Sequence, residues 1–178
     1  GDTDIAFFRP SDGTWHIRGA RPSTVSFGTK DDIPVPADWN GDTKADIAVY
    51  RPSSATWHFR ELDIPSVAQG KTGDVPAPAD TLGFGSPQQV LFRPSEGVWY
   101  NAAAGTTTLG QSGDIPVPGD YIAGFGPDGS ETQAVFRPST GTWHYQQCGC
   151  SETFGTSGDI PIGLPVAILK MSFPSLFA

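Results

Sequence analysis

Four copies of one unit of about 42 residues fill nearly the whole chain, and this period restricts the fold more than any other feature. Arg-Pro-Ser recurs at intervals of 42, 42 and 44 residues, at Arg9, Arg51, Arg93 and Arg137. An Asp-Ile/Val-Pro series recurs beside it, at Asp32, Asp74, Asp114 and Asp159. A fixed period of this size indicates a repeat architecture in which each copy is one supersecondary unit. We therefore expect a single repeat domain over residues 1–178, with copies at about 5–46, 47–88, 89–132 and 133–178.

Each copy has the pattern of short β-strands joined by tight turns. Ile47–Arg51 is a short apolar run, a turn follows, and Thr56–Arg60 alternates bulky and polar residues as a half-buried strand does. The Asp-Ile-Pro-Val-Pro segment contains two residues without a backbone N–H, so we expect an extended connector or an edge strand there. The 22 glycines and 17 prolines suit many turns. The pattern predicts an all-β fold without a major helix.

A period near 40 residues with three or four strands per unit is typical of a β-propeller blade. The sequence therefore predicts a small β-propeller of about four blades. A β-prism or an open β-solenoid is the alternative, although solenoid coils are usually shorter.

The stretch DDIPVPADWNGDTKADIAVYRPS, residues 31–53, resembles the FG-GAP/VCBS-type repeat of bacterial secreted and surface proteins, which is related to the blades of the integrin α-chain propeller. The resemblance covers nearly the whole chain. It implies a propeller, an extracytoplasmic location (secreted, periplasmic or cell surface) and often a calcium ion in a DxDxDGxxxD-like loop. Relatives bind glycans between blades, bind proteins or accompany secreted enzymes, so the resemblance leaves the function open.

One copy carries a complete set of candidate calcium ligands, namely Asp38, Asn40, Asp42 and Asp46. Calcium takes six to eight oxygen ligands, and alternate carboxylates in a tight turn can point at one centre. The alternative is an Asx-rich turn whose carboxylates accept backbone N–H groups. Because the next two copies keep only the first acid, Asp80 and Asp120, we expect at most one Ca²⁺, in a structural role.

A tryptophan follows each Arg-Pro-Ser turn, and the four are Trp15, Trp57, Trp99 and Trp143. An exposed indole ring can stack on a sugar, which makes these residues candidate ligand-binding positions. The alternative, which we favour, is that they pack between neighbouring repeats. The recurring arginines and Asp-Ile/Val-Pro acids are interpreted in the same way, as a repeated ion pair rather than an anion site.

Nothing in the sequence marks a catalytic centre. His16, His58 and His144 each follow a repeat tryptophan, with Tyr100 in the fourth place, and equivalent positions of a repeat array do not readily converge. The chain has no HExxH, GxSxG or phosphate-binding motif. We therefore expect a protein that is not an enzyme.

Charge and cysteine content exclude some classes of partner. Eleven basic against nineteen acidic residues give a net charge of −8, without the basic patch of a nucleic-acid-binding protein. No apolar run is long enough to span a membrane. Cys148-Gly149-Cys150 leaves three alternatives open: free or locally bridged thiols, a bond to another chain, or a soft metal.

These observations favour a non-enzymatic, extracytoplasmic β-propeller that mediates protein–protein contacts, as part of a larger surface or membrane-associated assembly. One alternative is a glycan-binding lectin that uses clefts between blades, and another is the accessory domain of a secreted hydrolase. Two departures from the repeat are candidate contact points. They are the Gly-Phe-Gly loops at Gly83–Gly85 and Gly124–Gly126, and the C-terminal segment 165–178, which resembles an additional strand.

Overall fold

A computed structural model describes residues 5–121 and 130–162, and regular structure in these ranges is entirely β. The all-β prediction is confirmed, since the described ranges form four antiparallel sheets of three or four strands. The chain divides into two compact units, Gly1–Thr72 and Gly73–Ala178, and each is described by itself. The Gly124–Gly126 loop and the 165–178 segment lie outside the described residues.

The first unit contains two sheets. The first has the order β1-β2-β3, with β1 (Ala6–Arg9), β2 (Thr14–Ile17) and β3 (Thr24–Ser26). The second has the order β4-β5-β6-β7, with β4 (Ile33–Pro34), β5 (Ala48–Arg51), β6 (Thr56–Phe59) and β7 (Val67–Ala68). Consecutive strands are neighbours, as short turns require.

The second unit repeats the four-stranded pattern twice. One sheet has the order β11-β10-β9-β8, with β8 (Val75–Pro76), β9 (Val90–Arg93), β10 (Val98–Asn101) and β11 (Gly105–Thr108). The other has the order β12-β13-β14-β15, with β12 (Ile115–Pro116), β13 (Ala134–Arg137), β14 (Thr142–Tyr145) and β15 (Ser151–Thr153).

The Asp-Ile/Val-Pro segment of one copy forms the edge strand of the next copy's sheet. Its apolar residue pairs with the aromatic residue that precedes the Arg-Pro-Ser arginine, in the pairs Ile33↔Tyr50, Val75↔Phe92 and Ile115↔Phe136. An edge position suits these segments because the missing proline N–H is tolerated there. The sheet of β1, β2 and β3 has no such edge strand among the described residues.

Two of the repeat tryptophans, Trp15 and Trp99, lie in the core of their own units and face the sheet of the next copy. In the first unit Trp15 and Val25 cluster with Val49 of β5, and in the second Trp99 clusters with Val135 of β13. A buried aromatic side chain contributes several kcal/mol when it is removed from water and packed. The tryptophan therefore joins each sheet to its successor within a unit.

The turn after Arg-Pro-Ser places a glycine with positive φ close to a neighbouring backbone in three copies, whereas Ala55 takes this position in copy two with φ +50°. Gly97 has φ +65°, and a Cβ there would lie 2.2 Å from the carbonyl oxygen of Gly110. We expect Gly97→Ala to lower the free energy of unfolding by at least about 2 kcal/mol, measured by urea denaturation, because the backbone must shift.

Gly113→Ala is the matched control for this substitution. Gly113 has φ +90° with nothing within 4 Å of the added Cβ, so only the cost of the left-handed backbone applies, about 1 kcal/mol. Equal losses for the two variants would show that the close approach of Gly97 to Gly110 is not what requires glycine.

Candidate functional site

The acidic loop turns its side chains toward its own backbone. Both carboxylate oxygens of Asp38 accept backbone N–H groups, with Oδ1 at 2.7 Å from Gly41 N and 2.9 Å from Asp42 N, and Oδ2 at 2.7 Å from Thr43 N. The other three predicted ligands also accept one bond each. Asn40 Oδ1 is 2.9 Å from Asp42 N, Asp42 Oδ1 is 2.9 Å from Lys44 N, and Asp46 Oδ2 is 2.9 Å from Trp39 N. This is the arrangement of an Asx-rich turn.

The second copy builds a similar turn around a single acid. Asp80 accepts the backbone N–H groups of Phe84 at 2.9 Å and Gly85 at 2.7 Å, and the side-chain amide of Gln88 at 3.1 Å. Burial raises the pKa of Asp80, but these hydrogen bonds outweigh it and leave the pKa below its usual value. The first acid of the loop therefore organises the backbone even where no other acid accompanies it.

Trp39, which lies between two of the predicted calcium ligands, is a buried packing residue. Its ring lies 5.7 Å from that of Trp57 and 5.1 Å from that of Phe59, both edge-on, and its Nε1 donates to the carbonyl of Val35 at 3.0 Å. In the second unit, Tyr121 similarly contacts the ring of Trp143 at 5.9 Å. The sequence feature that indicates this packing role is an aromatic residue directly after the first acid of the loop, in copies one and three.

The geometry gives the calcium prediction no support. Within residues 5–121 and 130–162, no group of three or more His, Cys, Asp or Glu side chains is placed to hold a metal ion. The four predicted ligands share one loop, but their oxygens are engaged with N–H groups as described above. A Ca²⁺ ion at this loop therefore stays a prediction.

Substitutions in the loop separate the two interpretations. We expect Asp38→Ala to lower the free energy of unfolding by about 1 kcal/mol in the presence of EDTA, because three backbone donors lose their acceptor. Asp42→Ala removes a carboxylate that accepts one such bond, and should cost less than half as much. Thermal melts with EDTA and with added calcium are the measurement. If calcium raises the Tm of the parent but not of Asp42→Ala, the loop is a cation site.

The four tryptophans divide into three that are buried and one that is partly exposed. Trp15, Trp57 and Trp99 are at most 5% exposed, and Nε1 of Trp15 and of Trp99 donates to a main-chain carbonyl at 2.9 and 3.0 Å. Their burial supports packing between sheets. Trp143 retains exposed surface, so among the described residues it is the tryptophan on which a sugar could stack without displacing core.

The histidines lie on the central strands β2, β6 and β14, on the sheet face opposite the tryptophans. Nε2 of His58 and of His144 is buried without a hydrogen-bond partner. Burial lowers the pKa of both residues, and the charges of Arg51 and Arg137 lower it further. These contacts suit neutral imidazoles that cover one face of a sheet.

We expect the protein to lose stability as the pH falls from about 7 through the lowered pKa of His58 and His144. As the pH falls, the unfolded chain binds protons at the ordinary histidine pKa near 6.5, before the folded chain does. Acidification therefore lowers the free energy of unfolding. Tyr100 occupies the same position in copy three, so a double variant His58→Tyr, His144→Tyr should flatten the dependence. Thermal melts between pH 8 and 5 measure it, and an unchanged slope in the double variant would assign acid sensitivity to other groups.

The recurring arginines and acids form ion pairs that cross from one copy to the next. Arg51 donates Nε and Nη2 to the two oxygens of Asp32, both at 2.9 Å. The same bidentate hydrogen bonding joins Arg93 to Asp74 at 2.7 and 2.8 Å, and Arg137 to Asp114 at 2.9 and 2.8 Å. These acids are buried, so the pairs act inside the fold.

The first arginine of its series, Arg9, and the last acid of its series, Asp159, do not form such an ion pair in the described structure. Arg9 lies 3.9 Å from Asp12, an exposed neighbour in its own turn. Asp159 is exposed and accepts the backbone N–H of Thr156 at 2.8 Å. Among the described residues, Arg9 has no Asp-Ile/Val-Pro acid and Asp159 has no arginine.

Apolar surface is exposed near Arg9 and near Asp159. In β1, Phe7 is 54% exposed, whereas Val49 and Val135, its counterparts in β5 and β13, are fully buried. In the last described sheet, a cavity of about 510 Å³ is bounded by Trp143, Phe154 and the Asp159–Ile162 segment, among others. These two surfaces are candidate binding sites.

The Gly83–Gly85 loop exposes an aromatic ring. Phe84 is largely exposed, while its backbone N–H is held by Asp80. The ring is therefore presented from an anchored turn and offers a smaller apolar contact.

Cys148 and Cys150 are bonded to each other. Of the three alternatives that the sequence left open, the structure has the local bridge.

Comparisons with protein-family models, with curated proteins and with solved structures found no match to this chain. The resemblance to FG-GAP/VCBS-type repeats therefore stays a prediction from the sequence. In the described residues, no helix has the length and apolar character that crossing a membrane requires.

Proposed function

We propose that this chain is a non-enzymatic, extracytoplasmic scaffold that makes protein–protein contacts within a larger surface or membrane-associated assembly. The observation that carries the proposal is the exposed edge and face of β1, where Ile5 and Phe7 are exposed although their sheet is otherwise built like the others. An open sheet edge beside apolar side chains is a site for strand addition.

We infer that the four sheets are the blades of a small β-propeller. Support comes from the formation of one sheet per copy, and from the packing of each tryptophan face on the next sheet within a unit. The resemblance to FG-GAP/VCBS-type repeats favours the same arrangement. The Cys148–Cys150 bond favours an oxidising, extracytoplasmic location.

A labelled peptide of residues 111–117, QSGDIPV, tests whether β1 accepts a strand. We expect the peptide to bind the parent chain and to lose affinity for an Arg9→Glu variant, since Asp114 of the peptide would meet Arg9 as it meets Arg137 in its own sheet. A peptide with lysine at the Asp114 position is the matched control. Absence of binding by the parent chain, measured by fluorescence anisotropy at concentrations where the chain is monomeric, would remove the support for the proposed function.

Glycan binding is the second candidate, favoured by the cavity at the last sheet. Trp143 is partly exposed there and Phe154 is 76% exposed, which offers two aromatic faces to a sugar ring. A glycan array with the parent chain and with Trp143→Ala tests this. Binding that the folded variant loses would favour the lectin.

A further inference from the structure

The edge of β1 has the features that receive an Asp-Ile/Val-Pro strand elsewhere in the molecule. In the other three sheets, such a strand pairs with the strand equivalent to β1, and its acid binds the arginine at the end of that strand. The residue two positions after the apolar one donates its N–H to the second strand, as in Val35 N to Ala48 O at 2.9 Å. The equivalent groups of β1 are the arginine Arg9 and the carbonyl of Ala6.

The segment Asp159–Ile162 has the features of the strand that is missing. Asp159 lies in a turn like that of the paired acids, with its N–H 3.2 Å from Thr156 O and its Oδ2 2.8 Å from Thr156 N. Asp32 makes the same two contacts with Thr29, at 3.2 and 2.8 Å, and binds Arg51 besides. The donor turn is thus formed before any arginine is bound.

Burial shows that this segment is unpaired in the described structure. Ile162 is 92% exposed, whereas Val35, the equivalent residue before β5, is 2% exposed. Ile160 is also exposed, although its counterpart Ile33 is buried. The segment therefore follows a formed turn but belongs to no sheet, and it leaves Ile160 and Ile162 uncovered.

The exposed faces match as well as the edges. Val135, the counterpart of Phe7, packs beside Trp99 of the preceding sheet. The cavity of about 510 Å³ at the last described sheet is lined by Phe136, Trp143 and Phe154 and is next to Asp159. The tryptophan face of that sheet therefore has room for an apolar residue from a β1-type strand.

We propose that a second copy of this chain binds head to tail, with its Asp159–Ile162 segment added to the β1 edge of the first copy, in place of the same contact within one chain that would close a four-bladed ring. Asp159 binds Arg9 through two hydrogen bonds, Ile162 N donates to Ala6 O, and Phe7 enters the cavity beside Trp143. Among its described residues, each chain has one unpaired segment, Asp159–Ile162, and one open sheet edge, at β1. A contact between two different surfaces of identical chains is a heterologous interface. This inference rests on the proposed function and names the partner.

Exchange of charges between the two chains tests the pairing. Arg9→Glu and Asp159→Arg each place like charges at the contact, so each alone should weaken self-association by at least about thirtyfold. An equimolar mixture should restore it, because the introduced carboxylate of one variant then meets the introduced guanidinium of the other, and the remaining contact is the native pair. Sedimentation velocity over a range of concentrations measures the mass. Lys30→Glu and Asp63→Arg, at exposed charges elsewhere, are controls that should associate as the parent does.

Ile162→Asp gives a second test at a largely exposed position, where folding should not depend on the side chain. We expect it to weaken association without lowering the Tm of the dilute chain. A parent chain that stays monomeric at every concentration overturns the inference, as does a mixture that fails to associate. If the chain is monomeric but binds the QSGDIPV peptide, the proposed function stands and the second copy is not the partner. A chain that neither self-associates nor binds the peptide contradicts both the inference and the proposed function.

Discussion

Replacing Trp57 by alanine is expected to lower the free energy of unfolding by about 3–5 kcal/mol, enough to unfold much of a marginally stable domain. The side chain is fully buried, with the ring of Tyr50 at 5.2 Å and that of Trp39 at 5.7 Å. Its removal leaves a cavity among rings that cannot close over it. Urea denaturation followed by far-ultraviolet circular dichroism measures the loss.

Trp143→Ala is the matched control, since Trp143 occupies the same repeat position but retains exposed surface. Its ring contacts Phe136 at 5.2 Å and Tyr121 at 5.9 Å, and the cavity lies beside it. We expect a loss of about half that of Trp57→Ala or less, measured at concentrations where the chain is monomeric. Equal losses would contradict the view that the last sheet has an uncovered face.

Removing the carboxylate of Asp114 is expected to lower the free energy of unfolding by about 3 kcal/mol. The Asp114 side chain is 1% exposed and accepts hydrogen bonds from Nε and Nη2 of Arg137. Asp114→Ala therefore leaves a largely buried guanidinium without its partner. The hydrogen bonds that Arg137 donates to Asp114 raise the pKa of Arg137 above its ordinary value. Without them the arginine still keeps its proton at neutral pH, because its ordinary pKa already lies far above 7.

Asp159→Ala differs from Asp114→Ala chiefly in the missing arginine. Both acids follow Ser-Gly and precede Ile-Pro, and both accept the N–H of the residue three positions earlier, at 3.0 Å for Asp114 and 2.8 Å for Asp159. We expect Asp159→Ala to cost about 1 kcal/mol or less in the dilute chain. A loss equal to that of Asp114→Ala would show that the turn, and not the ion pair, stabilises the fold.

The sequence by itself determined the features that depend on local pattern. The 42-residue period, the alternation in segments such as Thr56–Arg60 and the spacing of the turns specified one antiparallel sheet per copy, because strand periodicity and turn chemistry act over a few residues. The repeated arginine and acid likewise indicated an ion pair. The position of each proline also limited the Asp-Ile/Val-Pro segment to an edge or a connector.

Only the tertiary structure decided which groups meet. It placed the acid of one copy on the arginine of the next, turned the oxygens of Asp38 toward backbone N–H groups and buried Trp39 against Trp57. It also separated covered from uncovered members of each series, so that Val49 is buried and Phe7 is exposed. Equivalent sequence positions differ in this way because burial and hydrogen-bond partners are supplied by residues of other copies, which the local pattern of one copy does not specify.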